Sequence, residues 1–140
     1  MPNIKSIPKF IDKVKEFCDQ DETINSFTEL DDPNNIEEVY GENLFRQFVL
    51  YCSGFDVTQK RAYFGLIVID KTTDDKKSYT QHENLMSIVA LRNYCYSMGF
   101  DVDFEFESEV SFLTTDKSGI GLDWAIVEFS VLIEIGTLKC

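Results

Sequence analysis

The chain has 140 residues, with 13 basic and 25 acidic side chains, and its formal net charge at pH 7 is −12. This length predicts a single domain, 1–140, and a hydrophobic content of 44% is enough to form a buried core. So acidic a protein repels phosphate groups, which argues against direct binding of nucleic acid. We find no apolar segment typical of a secretory signal or a membrane span, and we expect a cytoplasmic protein without a membrane partner.

Side chains that often carry catalysis are few and scattered. The cysteines Cys18, Cys52, Cys95 and Cys140 are at least 34 residues apart, so no pair has the spacing of a zinc site or a redox dithiol. We expect free thiols. His82 is the single histidine of the chain, and the sequence contains neither a glycine-rich phosphate loop nor a nucleophile elbow. These observations predict a protein that is not an enzyme and that uses no cofactor and no metal.

The N-terminal segment predicts an amphipathic helix. Ser6 is a suitable N-cap, and Pro8 lies near the first turn, where a missing N–H costs nothing. Apolar residues then recur at helical spacing and form one stripe, which we expect to face the core: Ile7, Phe10, Ile11, Val14, Phe17 and Cys18.

An acidic loop is predicted over residues 19–44. Between Glu16 and Phe45 the chain has ten acidic residues and neither lysine nor arginine. The carboxylates of Asp31, Asp32, Glu37 and Glu38 are candidates for an interaction surface. They form either a solvated loop or a negative patch presented to a basic partner or a charged channel.

The middle of the chain predicts two strands and a second helix. Residues 45–52 and 61–69 have the composition of strands, and the second is apolar on both faces, which is typical of a central strand. A polar connector, 70–78, leads to a helix over 79–98 that Gly99 ends. Its core face is expected to comprise Leu85, Ile88, Leu91, Cys95 and Met98, widened by Met86, Val89 and Ala90.

The C-terminal part predicts a β-hairpin over residues 100–135, with a turn at 114–121. The first strand alternates strictly, with Phe100, Val102, Phe104 and Phe106 on one face and Asp101, Asp103, Glu105 and Glu107 on the other. The last strand places a second apolar set on one face: Ala125, Val127, Phe129, Val131, Ile133 and Ile135.

The acidic row of the hairpin, Asp101, Asp103, Glu105 and Glu107, is the second candidate interaction surface. Successive carboxylates on one strand face are about 6.6 Å apart, too far for neighbours to share a metal ion. The row is either an ordinary solvated sheet face or a negative surface that meets a basic protein or repels DNA.

Taken together, these elements predict an α+β fold in which one mostly antiparallel sheet of about four strands packs against two helices. Their order resembles that of the tail terminator and tail completion proteins of tailed bacteriophages, above all the Mu-like prophage family. The resemblance covers about residues 45–135. It lies in a strand ending near Gly54, an apolar strand over 61–70, a helix over 79–99 and a closing hairpin that ends in Trp124-Ala125-Ile126-Val127-Glu128-Phe129-Ser130-Val131.

The resemblance implies a non-enzymatic structural subunit that forms a ring, usually hexameric, caps the tail tube and contacts other tail proteins. It would then become part of the virion. The composition leaves a second class open, namely a small acidic immunity or inhibitor protein that neutralises a basic toxin such as a nuclease. In that class the acidic surfaces would meet lysine and arginine side chains of the toxin and accelerate association.

Overall fold

A computed structural model describes residues 5–30, 46–71, 77–103, 109–117 and 120–134. Two helices and six strands follow one another in these ranges. They are α1 (Ile7–Gln20), β1 (Ser26–Glu29), β2 (Gln47–Asp56), β3 (Arg61–Lys71), α2 (Lys77–Ser97), β4 (Val102–Asp103), β5 (Ser111–Lys117) and β6 (Ile120–Leu132). The α+β class and the two helices are therefore confirmed.

The six strands form one mixed sheet in the order β1-β2-β3-β6-β4, and β5 also pairs with β6. β1 runs parallel to β2, while the other pairs are antiparallel. β4 and β5 occupy different stretches of the same edge of β6, because β4 pairs with residues 130–131 and β5 with residues 120–126. The sheet thus has more strands than the expected number of about four.

β1 lies inside the segment predicted as an acidic loop, which corrects that prediction. The strand has four residues, and its neighbours fix it to β2: the N–H of Asn25 donates to the Arg46 carbonyl at 2.8 Å, and the N–H of Leu30 donates to the Leu50 carbonyl at 2.8 Å. Tertiary pairing, rather than local propensity, makes this strand.

The predicted end of the strand over 45–52 and most of the predicted turn at 114–121 lie inside strands of the structure. β2 continues to Asp56, because a bulge between Cys52 and Gly54 absorbs Ser53 without ending the ladder. The predicted turn at 114–121 is wrong, since residues 114–117 belong to β5 and residues 120–121 to β6. Threonine is a good strand former, and the side chains of Thr114 and Thr115 both bond to β6.

The main core lies between the two helices and one face of the sheet. The predicted stripe of α1 is confirmed, since Phe10, Val14 and Cys18 are buried. The Phe10 ring lies 4.8 Å from the Phe64 ring and 6.0 Å from the Phe129 ring, measured between centroids. The predicted apolar face of β6 is also confirmed from Ala125 to Ile133, and Ile135 lies outside the described residues.

A second apolar cluster lies on the opposite face of the sheet and consists of Leu30, Val49, Ile67, Ile69, Leu122 and Trp124. β3 contributes to both clusters, because Phe64, Leu66 and Val68 point to the helices while Ile67 and Ile69 point away from them. The prediction that this strand is central and buried on both faces is confirmed.

α2 matches its predicted span, and Gly99 after it has a positive φ of 89°, as expected of a residue that ends a helix. Its burial differs from the prediction. Ile88, Leu91 and Cys95 are buried, but Met86, Val89, Ala90 and Met98 are exposed. The buried face is completed by the polar side chains of Thr80, Asn84 and Ser87.

The position of the Tyr51 ring leaves no room for a side chain at residue 65 of β3, which is a glycine. The two residues are cross-strand partners, and a Cβ built on Gly65 would collide with the end of the Tyr51 ring. We expect Gly65→Ala to displace the ring and lower the free energy of unfolding by about 1–2 kcal/mol, because the half-buried ring can rotate only in part. Urea unfolding measures the loss.

The matched control is the same substitution in a Tyr51→Ala background, where no ring opposes the new methyl group. There Gly65→Ala should cost much less than in the natural chain, because the collision is gone. An equal cost in both backgrounds would contradict the contact between these two residues.

Candidate functional site

A row of polar side chains crosses the sheet at the end where β2 begins. Asp70 and Asp123 are direct partners in the β3–β6 ladder, and Thr114 is the partner of Asp123 in the β5–β6 ladder. Arg46 directly precedes β2. All four have the strand parity that points toward the helices, and Arg46 contacts Glu83 and Ser87 in the first half of α2.

Arg46 is the centre of this row, with 8% of its surface exposed. Its Nε donates to Asp70 Oδ2 at 3.1 Å, and its Nη2 donates to Glu83 Oε2 at 3.1 Å. Its Nη1 donates to the hydroxyls of Thr23 and Ser87, both at 3.2 Å. The guanidinium therefore joins the segment after α1, the start of β2, the end of β3 and the first half of α2.

These contacts define what the arginine can do. Both carboxylates compensate its charge, and its N–H groups already point to four protein acceptors. A guanidinium used in this way fixes the surrounding elements instead of presenting a positive charge to a ligand.

Two further polar side chains of the region are buried and incompletely bonded. Asn84 of α2 is fully buried, and neither atom of its amide has a hydrogen-bond partner. Asp123 accepts a bond from Thr114 Oγ1 at 2.8 Å on one carboxylate oxygen, while its Oδ2 has no partner. A buried polar group without a hydrogen bond costs about 1–3 kcal/mol of stability, so these two side chains stabilise the fold less than apolar side chains of the same size would.

The acidic row predicted from the sequence is described only in part. Asp101 is exposed, its Oδ2 lies 3.7 Å from Nη1 of Arg61, and its carbonyl accepts a bond from Nη2 at 3.1 Å. Asp103 is half-buried in β4 opposite Ser130. Arg61 therefore balances part of the negative charge of this row. The other candidates, namely Glu105, Glu107, Asp31, Asp32, Glu37 and Glu38, lie outside the described residues.

The described cysteines are free thiols, as predicted, and they differ from one another in burial. Cys18 and Cys95 are buried in the main core, whereas Cys52 is exposed, and Cys140 lies outside the described residues. His82 is exposed on α2. Across the ranges that the structure describes, histidine, cysteine, aspartate and glutamate form no group of three or more that could hold a metal ion.

α2 carries an exposed apolar stripe that the sequence analysis did not predict. Met86 is 57% exposed, and Tyr79 and Val89 are exposed on the same side of the helix, whereas the hydroxyl of the exposed Tyr96 donates to the Val102 carbonyl of β4 at 2.6 Å. This side is opposite the one that carries Ile88 and Leu91. The signal was present in the sequence as apolar residues around the whole circumference of the helix, too many for one core-facing stripe.

No family model matches the chain, and no curated protein matches it. Among the described residues, no helix combines the length and the apolar character needed to cross a membrane. The function must therefore be argued from the chain's own surfaces.

The Arg46 cluster makes a prediction about stability. Arg46→Ala removes the guanidinium that pairs with Asp70, whose side chain is only 20% exposed, and leaves that carboxylate without its ion-pair partner. We expect a loss of about 3 kcal/mol or more in the free energy of unfolding, measured with urea.

Lys13→Ala is the matched control, because Lys13 pairs with Glu16 at 3.0 Å on the exposed side of α1. An exposed ion pair is strongly screened by solvent, so this variant should unfold almost like the natural protein. Similar losses in the two variants would contradict a special role of the Arg46 cluster.

The buried thiols predict a pH dependence. Burial raises the pKa of both Cys18 and Cys95 from 9.0 to about 12, and the carboxylates of Asp19 and Asp21 add to the effect on Cys18. The folded state then holds protons that the unfolded state has lost. The free energy of unfolding should therefore fall as the pH rises from about 9 to about 12, by about 1.4 kcal/mol per pH unit for each thiol.

Cys95→Ala should remove one thiol's share of this slope, so the slope of this variant should be shallower than that of the natural chain. Urea unfolding at a series of pH values measures both slopes. A slope that is the same in Cys95→Ala as in the natural chain would contradict the burial of that thiol.

Proposed function

We propose that the chain is a non-enzymatic structural subunit that assembles with copies of itself into a ring, and that it acts as the tail terminator of a phage or phage-like tail. The exposed apolar stripe of α2 carries the proposal. Tyr79, Met86 and Val89 lie on the face of the helix that the chain's own core does not use. Met86 and Val89 are one helical turn apart, and neighbouring apolar side chains at a surface are typical of a contact with another protein.

The charge of the chain supports a second copy as the occupant. Two copies carry −12 each and repel one another wherever acidic surfaces meet. From Asn84 to Ser97, α2 contains only one charged residue, Arg92. Copies that meet through this helix therefore approach with little electrostatic cost and bury apolar side chains in return.

The same acidity supports a ring through which DNA passes. A channel lined by carboxylates repels phosphate groups, so a DNA molecule can move through it without adhering. The order of elements that resembles tail terminators points in the same direction, and a hexameric ring that stops growth of the tail tube is the form this function takes.

Native mass spectrometry at low and high ionic strength, with electron microscopy of the same samples, tests the proposal. We expect a closed oligomer whose mass persists or increases with salt, because apolar contact is not screened while repulsion between acidic subunits is. Val89→Glu introduces a charge into the stripe and should convert the ring into monomers.

Val57→Glu is the matched control. Val57 is 74% exposed in the turn between β2 and β3, so the same substitution there should leave the ring intact. A natural chain that is monomeric at both ionic strengths would contradict the ring. Monomers that bind a basic nuclease toxin faster at low salt would favour the inhibitor instead.

A further inference from the structure

β5, at the edge of the sheet, has an exposed outer side. Its described partner is β6 alone, and residues 111–114 are all exposed. Side chains fasten the strand to β6 on both faces: Thr114 Oγ1 donates to Asp123 Oδ1 at 2.8 Å, and Trp124 Nε1 donates to Thr115 Oγ1 at 2.7 Å. The strand is thus held along β6 from both faces, and no other described strand pairs with its outer side.

The first five residues of β5 lack the features that normally protect a sheet edge, and its charged residues, Asp116 and Lys117, stand at its C-terminal end. Natural edge strands carry lysines, prolines or inward charges that prevent pairing with another chain. Residues 111–115, Ser-Phe-Leu-Thr-Thr, contain neither a charge nor a proline. Phe112 is 41% exposed and Leu113 is 51% exposed, and as neighbours in a strand they present one apolar side chain on each face of the sheet.

We propose that the outer edge of β5 accepts a strand from a second copy of the chain, so that the sheet continues from one subunit into the next. The proposal rests on the proposed function for the identity of the occupant. Backbone hydrogen bonds would supply the affinity, while Phe112 and Leu113 would clamp the added strand from opposite faces.

Charge favours a copy of this chain over a basic partner at this edge. A basic protein is attracted to carboxylates, and residues 111–115 offer none. For a second acidic subunit the same uncharged strip is a surface of low repulsion. Head-to-tail addition of strands around a closed ring would also cover the β5 edge of every subunit, which would protect the assembly from further growth.

Hydrogen exchange of the natural chain at two protein concentrations tests the inference. We expect the outward amides of β5, about every second one, to exchange at least about tenfold more slowly in the assembled form than in dilute monomers. The amides of Val57–Lys60, in the turn between β2 and β3, should exchange at the same rate in both forms.

Leu113→Lys places a charge on the edge and should abolish this protection and weaken assembly at least about tenfold. Leu132→Lys is the matched control: Leu132 is exposed on β6, on the same face of the sheet as Leu113 but away from the β5 edge. It should leave both assembly and protection unchanged. Equal weakening by the two variants would overturn a role of the edge.

The outcomes separate this inference from the proposed function. Rings in which β5 exchanges as fast as in monomers overturn the strand addition and leave the ring standing. Protection of β5 in a closed dimer supports the strand addition and overturns the ring. A chain that stays monomeric at every concentration overturns both.

Discussion

The attachment of the helices to the sheet depends on one buried cation. Arg46 lies where the segment after α1, the start of β2, the end of β3 and α2 converge, and its guanidinium bonds to a side chain from each of the other three. Apolar packing alone would permit α2 to slide along the sheet, since dispersion and burial have little directional preference. A planar donor group with fixed acceptors on several elements specifies one position of α2 on the sheet.

That specification has an energetic cost at the same end of the molecule. The row that begins at Arg46 continues to Asp70 and Asp123. The first half of α2 buries polar side chains, namely Thr80, Asn84 and Ser87, and the amide of Asn84 has no hydrogen-bond partner. The opposite end of α2 packs Leu91 and Cys95 into the aromatic core around Phe10. The helix is therefore stabilised mainly by its C-terminal half and positioned mainly by its N-terminal half.

Periodicity in the sequence predicted those parts of the fold in which burial follows a simple repeat. The stripe of α1, the two-faced burial of β3 and the apolar face of β6 are of this kind. It failed for β1, because four residues with a single aromatic side chain carry too little pattern, and pairing with β2 makes the strand. It also failed for Met86 and Val89, because a sequence pattern cannot distinguish an apolar side chain that faces the core from one that faces a partner.

The candidate sites also include both features that the sequence pattern predicted and features that only the folded structure shows. The Arg46 cluster joins residues 23, 46, 70, 83 and 87, which no local spacing connects, so only the three-dimensional fold could bring them together. The sequence showed the acidic row as a strict alternation of residue types. It did not show the pairing of Arg61 with Asp101, because these residues are 40 positions apart. Only the second half of β5, residues 114–117, was hidden within the predicted turn at 114–121.

Trp124 gives the protein an intrinsic optical reporter. It is the single tryptophan of the chain, it lies in the second apolar cluster, and its indole N–H bonds to Thr115 of β5. The emission of a buried indole shifts when its ring meets water or loses a hydrogen bond. Its fluorescence therefore follows separation of β5 from β6, on the sheet face away from the helices, independently of the aromatic core around Phe10.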